Sequence, residues 1–564
     1  MSFLNQIFAR LEASAGQTLL TELRESGPLP VTGRDLLAKI TQARAFLAAR
    51  GLKKGDRVAL LAANGIHWIV MDLAIIAEGL IVVPLYSRQA LSELVGMMKD
   101  CAPALICCGD ATLRDSILQN WSQAPAQALF EEVFGEKDSR AGAPFDFAQG
   151  RSAPHALADS DLVAIIYTSG TSGEAKGVMI TAGNVGHILQ CTSERLDILM
   201  NRRPESDKDR QDCVYQWAPL NFAAAWITTL TSLLRSSSVF MNTDLTKLAG
   251  ELRTVEPDYF VNVPALLERV RRAVDEQIWK TGGIVRTIYA NAKAAYMRKH
   301  EGHASMADSI WLAMANKLVF PTIRKKMIGT NIKGLICGSA PLSLETQLYF
   351  MMLGIPMLQV YGLTETTAIC TMDDPRRVEP GRVGSAIRGI EMKLGENDEI
   401  LVRGPNVFPG YWNRPDETAK VLRDGWFHTG DQGEMNAAGN WKISGRIKNL
   451  IILNSGHNIA PEPIEDELLN LLPNAQHVML VGNGRSYLSA IVTGSVSAEQ
   501  AQAALDAVNP SLPHYKQVRA FRITSEVFAP ENGQLTANGK LKRDSIVQRF
   551  KQEIDEMYAV KQAV

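Results

Sequence analysis

A chain of 564 residues, 46% hydrophobic and 21% charged, has an ordinary globular composition. It exceeds the about 250–300 residues that one hydrophobic core can serve, so two or more domains are expected. A formal net charge of −1 excludes a global electrostatic pull toward nucleic acid or anionic membrane. The seven cysteines are scattered, odd in number and without a CxxC pair, which argues against a disulfide framework or zinc site and suits a reducing cytoplasm.

Met1 to Leu11 lacks the basic region, apolar run and cleavage site of a signal peptide. The most apolar stretch, Ile66 to Tyr86, is interrupted by His67, Asp72, Glu78 and Pro84. A membrane span needs roughly 20 nearly uncharged residues, so this stretch reads as a buried helix and strand. From Asp56 the pattern alternates: strand Val58–Leu61, helix Ile66–Glu78, strand Leu80–Val83, a helix marked by Leu91, Leu94, Met97 and Met98, then strand Ala104–Cys108. Such alternation with short connections predicts an α/β fold, with a largely parallel, helix-covered sheet. Gly135–Asp161 and Asn201–Asp212 lack periodicity and read as surface loops. Near the end, Ile464, Leu468, Leu471 and Leu472 share one helical face, Val478–Val481 and Leu488–Val492 are strand-like, and Ile546, Val547, Phe550 and Ile554 mark a terminal helix. These form a separate small α+β unit whose boundary lies near Gly445–Ile451.

Candidate functional residues sit where strands end. Leu162–Tyr167 leads into Thr168, Ser169, Gly170, Thr171, Ser172, Gly173 and, past Glu174 and Ala175, Lys176 and Gly177. Three glycines can turn backbone N–H groups toward a ligand, and four hydroxyls with Lys176 add donors and charge, a set suited to phosphate oxygens. Composition alone also permits a flexible surface turn, and the loop is not a Walker A motif. Leu335–Cys337 ends at Gly338, Ser339, Ala340, Pro341 and Leu342. The strand Leu358–Val360, which carries Gln359, runs into Tyr361, Gly362, Leu363, Thr364, Glu365 and Thr366. Ends of parallel strands are where open α/β sheets bind ligands. Gly425-Trp-Phe-His-Thr-Gly-Asp431 follows, then Gly445-Arg446-Ile447-Lys448-Asn449, and finally Leu535-Thr-Ala-Asn-Gly-Lys540-Leu-Lys-Arg543.

In this order the motifs resemble those of the adenylate-forming superfamily of acyl-CoA synthetases, luciferases and peptide-synthetase adenylation domains. Departures are Ser172 and Ala175 in the loop, where the family usually has Thr and Pro, and Thr181-Ala182 for the usual Thr-His. The resemblance implies a large N-terminal domain, 1–447, of mostly parallel helix-covered sheets and a small mobile C-terminal domain, 448–564. It implies ATP or AMP binding by the loop residues 168–173 and Lys176, by Gly338–Pro341, and by Gln359, Tyr361, Gly362 and Thr364. Tyr361 would stack on adenine, Thr364 would meet the α-phosphate, and Glu365 would hold Mg²⁺. Asp431 and Arg446 would take the ribose, Lys448 would be the hinge, and Lys540 the mobile catalytic lysine acting with Lys176, Thr364 and Glu365. Substrates would be a carboxylic acid, ATP and CoA.

The segment from Val261 to Lys326 resembles long-chain acyl-CoA synthetases, and its helical insert reads as amphipathic covering helices. A basic surface gathering lipid at a membrane is the alternative. The acyl-side segment Pro219–Trp226 departs from the family: Phe222 stands for a usual His, Ala225-Trp226 for Glu-Arg, and Ala265 for an Arg. Asn221, Phe222 and Trp226 are the candidate acyl-pocket residues, and the changes are expected to make the pocket more apolar. Three readings follow: a fatty acyl-CoA synthetase, a ligase loading an external acyl carrier protein, and a catalytically reduced ATP-binding relative. Retention of Lys176, Glu365, Asp431, Arg446 and Lys540 counts against the third. A homodimer is compatible with the sequence, and the lone His300/His303 spacing lacks the further ligands of a zinc site.

Overall fold

The computed structural model describes residues 1–135, 154–169, 175–201, 210–472, 474–536 and 539–559. Most of the two expected surface loops, at 136–153 and 202–209, lies outside these residues, as do Gly170, Thr171, Ser172 and Gly173 of the phosphate loop.

The alternating first part forms a six-stranded sheet ordered 126–129, 105–108, 57–61, 81–85, 162–169 and 175–181. It is parallel except for the last pair, an antiparallel hairpin whose connection is the phosphate loop. Ile81–Leu85 is buried along its whole length, as a strand covered on both faces must be. The helix Ile66–Ala77 buries every residue but His67. A nine-stranded sheet follows, with a parallel centre built from 357–361, 334–337, 259–262, 213–216, 238–242 and 18–24. Four helices, Pro264–Thr281, Gly283–His300, Met306–Leu318 and Phe320–Ile328, form the expected insert.

The sequence pattern does not announce a third sheet. Strands 391–394, 399–403, 422–423, 426–435 and 441–446 pair antiparallel. The large domain is thus two parallel-rich sheets plus an antiparallel one, and the last strand leads through a single 3₁₀ turn, Ile447–Asn449, to the small domain.

The small domain packs a three-stranded sheet, 475–481, 488–494 and 518–524, against the helices Glu462–Leu471 and Ala498–Val508. Its two apolar clusters contain only residues beyond 450. Two expectations are corrected here. The terminal helix is two helices, Arg543–Arg549 and Lys551–Ala559, broken at Phe550. Val547 is exposed because it lies about 100° around its helix from Ile546, which faces the core, and Leu471 is exposed at the last position of its helix, after which Leu472 leaves the helix and is buried.

Candidate active site

Five of the motif-bearing segments converge where the two domains face each other. In the phosphate-loop hairpin Thr168 lies opposite Lys176. The segment 410–412 runs beside the same strand: Met179 N–H donates to Gly410 O at 3.2 Å and Trp412 N–H to Gly177 O at 2.7 Å. That pairing sets Tyr411 against Lys176, whose ammonium lies 5.2 Å from the ring centre. Lys176 Nζ also donates to Glu417 Oε2 at 2.5 Å. The hydrogen bond from Lys176, then that from Lys420, holds the Glu417 carboxyl down to about 2. Tyr411 Oη in turn donates to Glu365 Oε1 at 2.9 Å. Sequence reasoning missed Tyr411 and Glu417. The available signal was Arg-Pro-Asp-Glu at 414–417, a helix start with acids in its first turn.

Glu365 sits in a 3₁₀ turn, Thr364–Thr366, at the end of strand Met357–Tyr361. Gly362 permits the turn: a Cβ there would lie 2.2 Å from Ala368 O. Gly338 is equally constrained, since its Cβ would meet Val360 Cγ2 at 2.5 Å, so the 338–341 loop lies tight against the next strand. Ser339 takes a left-handed φ of 72° to leave it. Gln359 does not open into the cleft. It is 6% exposed and donates from Nε2 to Gln347 Oε1 at 2.9 Å, a correction to its expected nucleotide contact.

Asp431 and Arg446 face each other across neighbouring antiparallel strands. Arg446 Nε meets Asp431 Oδ1 at 2.6 Å, and Tyr361 Oη donates to Asp431 Oδ2 at 2.8 Å. Asp431 N–H is itself held by Thr429 Oγ1 at 3.0 Å, so the carboxylate is fixed from both ends. Lys540 arrives from the small domain. Enclosure by the surrounding protein pushes its ammonium down to about 8, although the side chain keeps contact with water; Arg446 and Lys448 add to the shift, and Asp431 and Glu365 oppose it. The side chain is open to water in the cleft while surrounded by protein charge. Burial and Arg446 also lower Lys448.

On the acyl side Phe222 is half-buried, its ring 6.1 Å from that of Tyr86. Asn221 is likewise half-buried. Trp226 and Ala265 correct the expected apolar pocket. Ala265 is exposed on its helix, and Trp226 is 1% exposed in the main core, with Nε1 donating to Asp72 Oδ2 at 3.0 Å. The helix Ala223–Leu234 turns the tryptophan inward, where a buried carboxyl oxygen accepts its N–H.

Among the described residues Asp72 has no other hydrogen-bond partner, and burial pushes its carboxyl up to about 7. A folded pKa above the unfolded one means the folded state holds the extra proton, so stability falls as pH rises from about 4 through about 7. Asp72→Asn is expected to raise the melting temperature by a few degrees near pH 8 and to change little near pH 4. A gain of equal size at both, or none near pH 8, would contradict a protonated Asp72.

The candidate metal carboxylate fits the chemistry of Mg²⁺. Glu365 offers one carboxylate beside the phosphate-loop hairpin, and Mg²⁺ is usually held by one or two carboxylates plus substrate phosphates. Among the described residues no group of three or more His, Cys, Asp or Glu could hold a metal by itself.

A carboxylate clasped by arginine and tyrosine, a phosphate-loop hairpin with its lysine and a second lysine brought by another domain define an adenylate-forming enzyme. The signature of the AMP-binding enzyme family matches residues 17–412, and that of the AMP-binding enzyme C-terminal domain matches 448–562; the chain belongs to this family. Among curated relatives, the long-chain-fatty-acid–CoA ligase FadD15 of Mycobacterium bovis is 25% identical over 562 residues, covering 94% of this chain and 92% of that protein. The long-chain-fatty-acid–CoA ligase ACSBG1 of Homo sapiens is 29% identical over 474 residues, covering 80% and 64%. Two solved structures share the fold. The adenylation domain of a carboxylate reductase from Mycobacterium chelonae has a TM-score of 0.76 at 20% identity, covering 99% of this chain and 91% of that one. The Mycobacterium tuberculosis fatty acyl CoA synthetase has a TM-score of 0.62 at 19% identity, covering 98% and 99%.

Proposed function

We propose that the protein is an ATP-dependent fatty acid–CoA ligase. The observation that carries the reading is Lys540, delivered by the small domain (448–564) into the cleft that holds Glu365, Asp431 and Arg446. The names of the curated relatives support a long-chain fatty acid as the substrate.

In the first half-reaction a substrate carboxylate oxygen attacks the α-phosphorus of ATP, the bond to the β-phosphate oxygen breaks, and pyrophosphate leaves. The acid is already ionised at neutral pH, so no general base is needed. What the chain must supply is placement and positive charge. Lys176 with the loop hydroxyls would take phosphate oxygens, Thr364 the α-phosphate, Tyr361 the adenine face, and Asp431 with Arg446 the ribose. Lys540 would offset charge developing at the α-phosphate. Glu365 would hold Mg²⁺, which when bound supplies Lewis-acid neutralisation of the phosphates. In the second half-reaction the CoA thiol attacks the acyl carbon, AMP leaves, and the thiol proton passes to solvent. The small domain turns about Lys448 between the two, withdrawing Lys540.

The test is to incubate the pure protein with ATP, Mg²⁺ and fatty acids of graded length, with and without CoA, and to measure acyl-AMP, acyl-CoA and pyrophosphate. Acyl-CoA in one chain-length window supports the ligase. Acyl-AMP that accumulates and ignores CoA would replace CoA with a carrier protein as acceptor. No product with any fatty acid would overturn the reading.

One observation also favours contact with an anionic lipid surface, the source of a fatty acid. Residues 283–328 carry eight Lys and Arg against two acids, Glu301 and Asp308, and Asp308 is buried on Arg298. Within 279–318 lie Trp279, Ile284, Met306, Ile310 and Leu318, all more than half exposed. Exposed apolar side chains ringed by bases fit an anionic interface. No helix among the described residues is long and apolar enough to cross a membrane, so such contact would be peripheral. Vesicles rich in phosphatidylglycerol should carry the protein in flotation, and Met306→Glu with Ile310→Glu should release it. Flotation equal for both proteins would reject this face.

A further inference from the structure

Two lysines, not one, reach across the cleft from the same hairpin. Leu535 and Leu541 form an antiparallel bridge, Lys542 N–H donates to Gln534 O at 2.9 Å, and Thr536 N–H donates to Lys540 O at 2.8 Å. Gln534 and Leu535 are 3% and 7% exposed, which anchors one side of the hairpin in the small domain. The other side is anchored through Lys542 O, which accepts from Ile546 N–H at 3.0 Å, and through Arg543, which pairs with Glu465 at 2.5 Å. Side chains two positions apart on an extended segment point the same way. Lys540 and Lys542 therefore face the large domain together, on a backbone too constrained for one to move far without the other.

Lys542 Nζ donates to Glu93 Oε1 of the large domain at 2.7 Å. Glu93 is held in turn: its Oε2 accepts from Gln89 Nε2 at 2.5 Å, and it stands in the first turn of helix Leu91–Cys101, where a negative charge is favoured. The two side chains are 21% and 33% exposed, so water screens the pair only in part.

We propose that Glu93 is a positioning residue for the adenylation half-reaction: by holding Lys542 it sets Lys540 against Glu365, Asp431 and Arg446. The proposal rests on the ligase reading above. It gives the ion pair a direction of action. Turning the small domain for thioester formation breaks the Glu93–Lys542 contact, so the pair favours the first half-reaction and not the second. A partly exposed ion pair is modest in strength, which corresponds to about a three- to tenfold change in the population of the docked orientation.

The test separates the half-reactions in Glu93→Gln, Glu93→Lys and the charge-swapped Glu93→Lys/Lys542→Glu protein. Pyrophosphate exchange should fall about three- to tenfold in Glu93→Gln and further in Glu93→Lys, through kcat and with little change in the KM for ATP. Conversion of supplied acyl-AMP and CoA to acyl-CoA should be unchanged or faster, and the charge swap should recover exchange. Spin labels at Gln119→Cys and Gln502→Cys, both exposed and one on each domain, report orientation without any turnover. Their distance distribution should broaden in Glu93→Lys and narrow again in the swap. Equal loss in both half-reactions, or a distance distribution that ignores Glu93, overturns the proposal. Absence of exchange in the unmodified protein would sink the ligase reading instead, and the distances would still decide the role of Glu93.

Discussion

Replacing Lys540 with alanine is expected to cut fatty-acid-dependent pyrophosphate exchange by about 100- to 1,000-fold, the scale on which one charge-stabilising donor matters in a closed site. Conversion of supplied acyl-AMP and CoA to acyl-CoA should stay within about twofold of the unmodified protein, because the proposed rotation would withdraw the lysine for that step. The ammonium's surroundings add a pH signature. With its protonated form falling away above about 8, adenylation should decline as pH rises through that value, while the second half-reaction, followed from acyl-AMP, should lack this limb. Loss of both half-reactions in Lys540→Ala would refute the division of labour.

The second large effect belongs to Lys448. It lies in the 3₁₀ turn Ile447–Asn449, the connection between the strand that carries Arg446 and the small domain. Proline would fix φ near −65° at this position and restrict Ile447 before it. A turn already helical can accept that value, so the docked orientation should survive and adenylation should remain within several-fold of normal. The second orientation proposed for thioester formation would need different dihedrals at the same place. Lys448→Pro should therefore slow thioester formation from acyl-AMP by roughly 100-fold, measured by rapid mixing with CoA. A comparable loss of pyrophosphate exchange would argue against a hinge at this residue.

The strands Leu162–Tyr167, Leu335–Cys337 and Leu358–Val360 were legible because they are mostly apolar runs that lead into glycine-bearing loops, whereas 18–24, 213–216, 238–242 and 259–262 mix polar residues into the run and went unread. The antiparallel sheet was not legible either. Its longest strand, Trp426–Met435, buries Phe427, Thr429, Asp431 and Gly433, and only the first of these is apolar. A strand whose inner face carries a carboxylate, a hydroxyl and a glycine has little hydrophobic alternation to read. The direction of Trp226 was hidden for the opposite reason. The helix Ala223–Leu234 has no charged residue to mark an outer face, so sequence could not tell core from pocket; the partner that decides it, Asp72, is 154 residues away. Lys540 could be named only through its motif, since its neighbours Asp431 and Arg446 come from another domain. Glu93, paired over 449 residues, carried no sequence signal at all.

The cysteines bear on the danger of the chemistry itself. All seven are free and buried, and burial pushes six of them up, Cys101, Cys108 and Cys370 to about 12. The thiolate is the form that attacks acyl groups. A mixed anhydride formed in the cleft is a strong acylating agent, and CoA at neutral pH offers it a thiolate fraction that the six raised cysteines do not. The protein thus makes an electrophile suited to capture by sulfur while keeping its own sulfur buried and out of reach, which leaves the incoming carrier as the thiol that the acyl group meets.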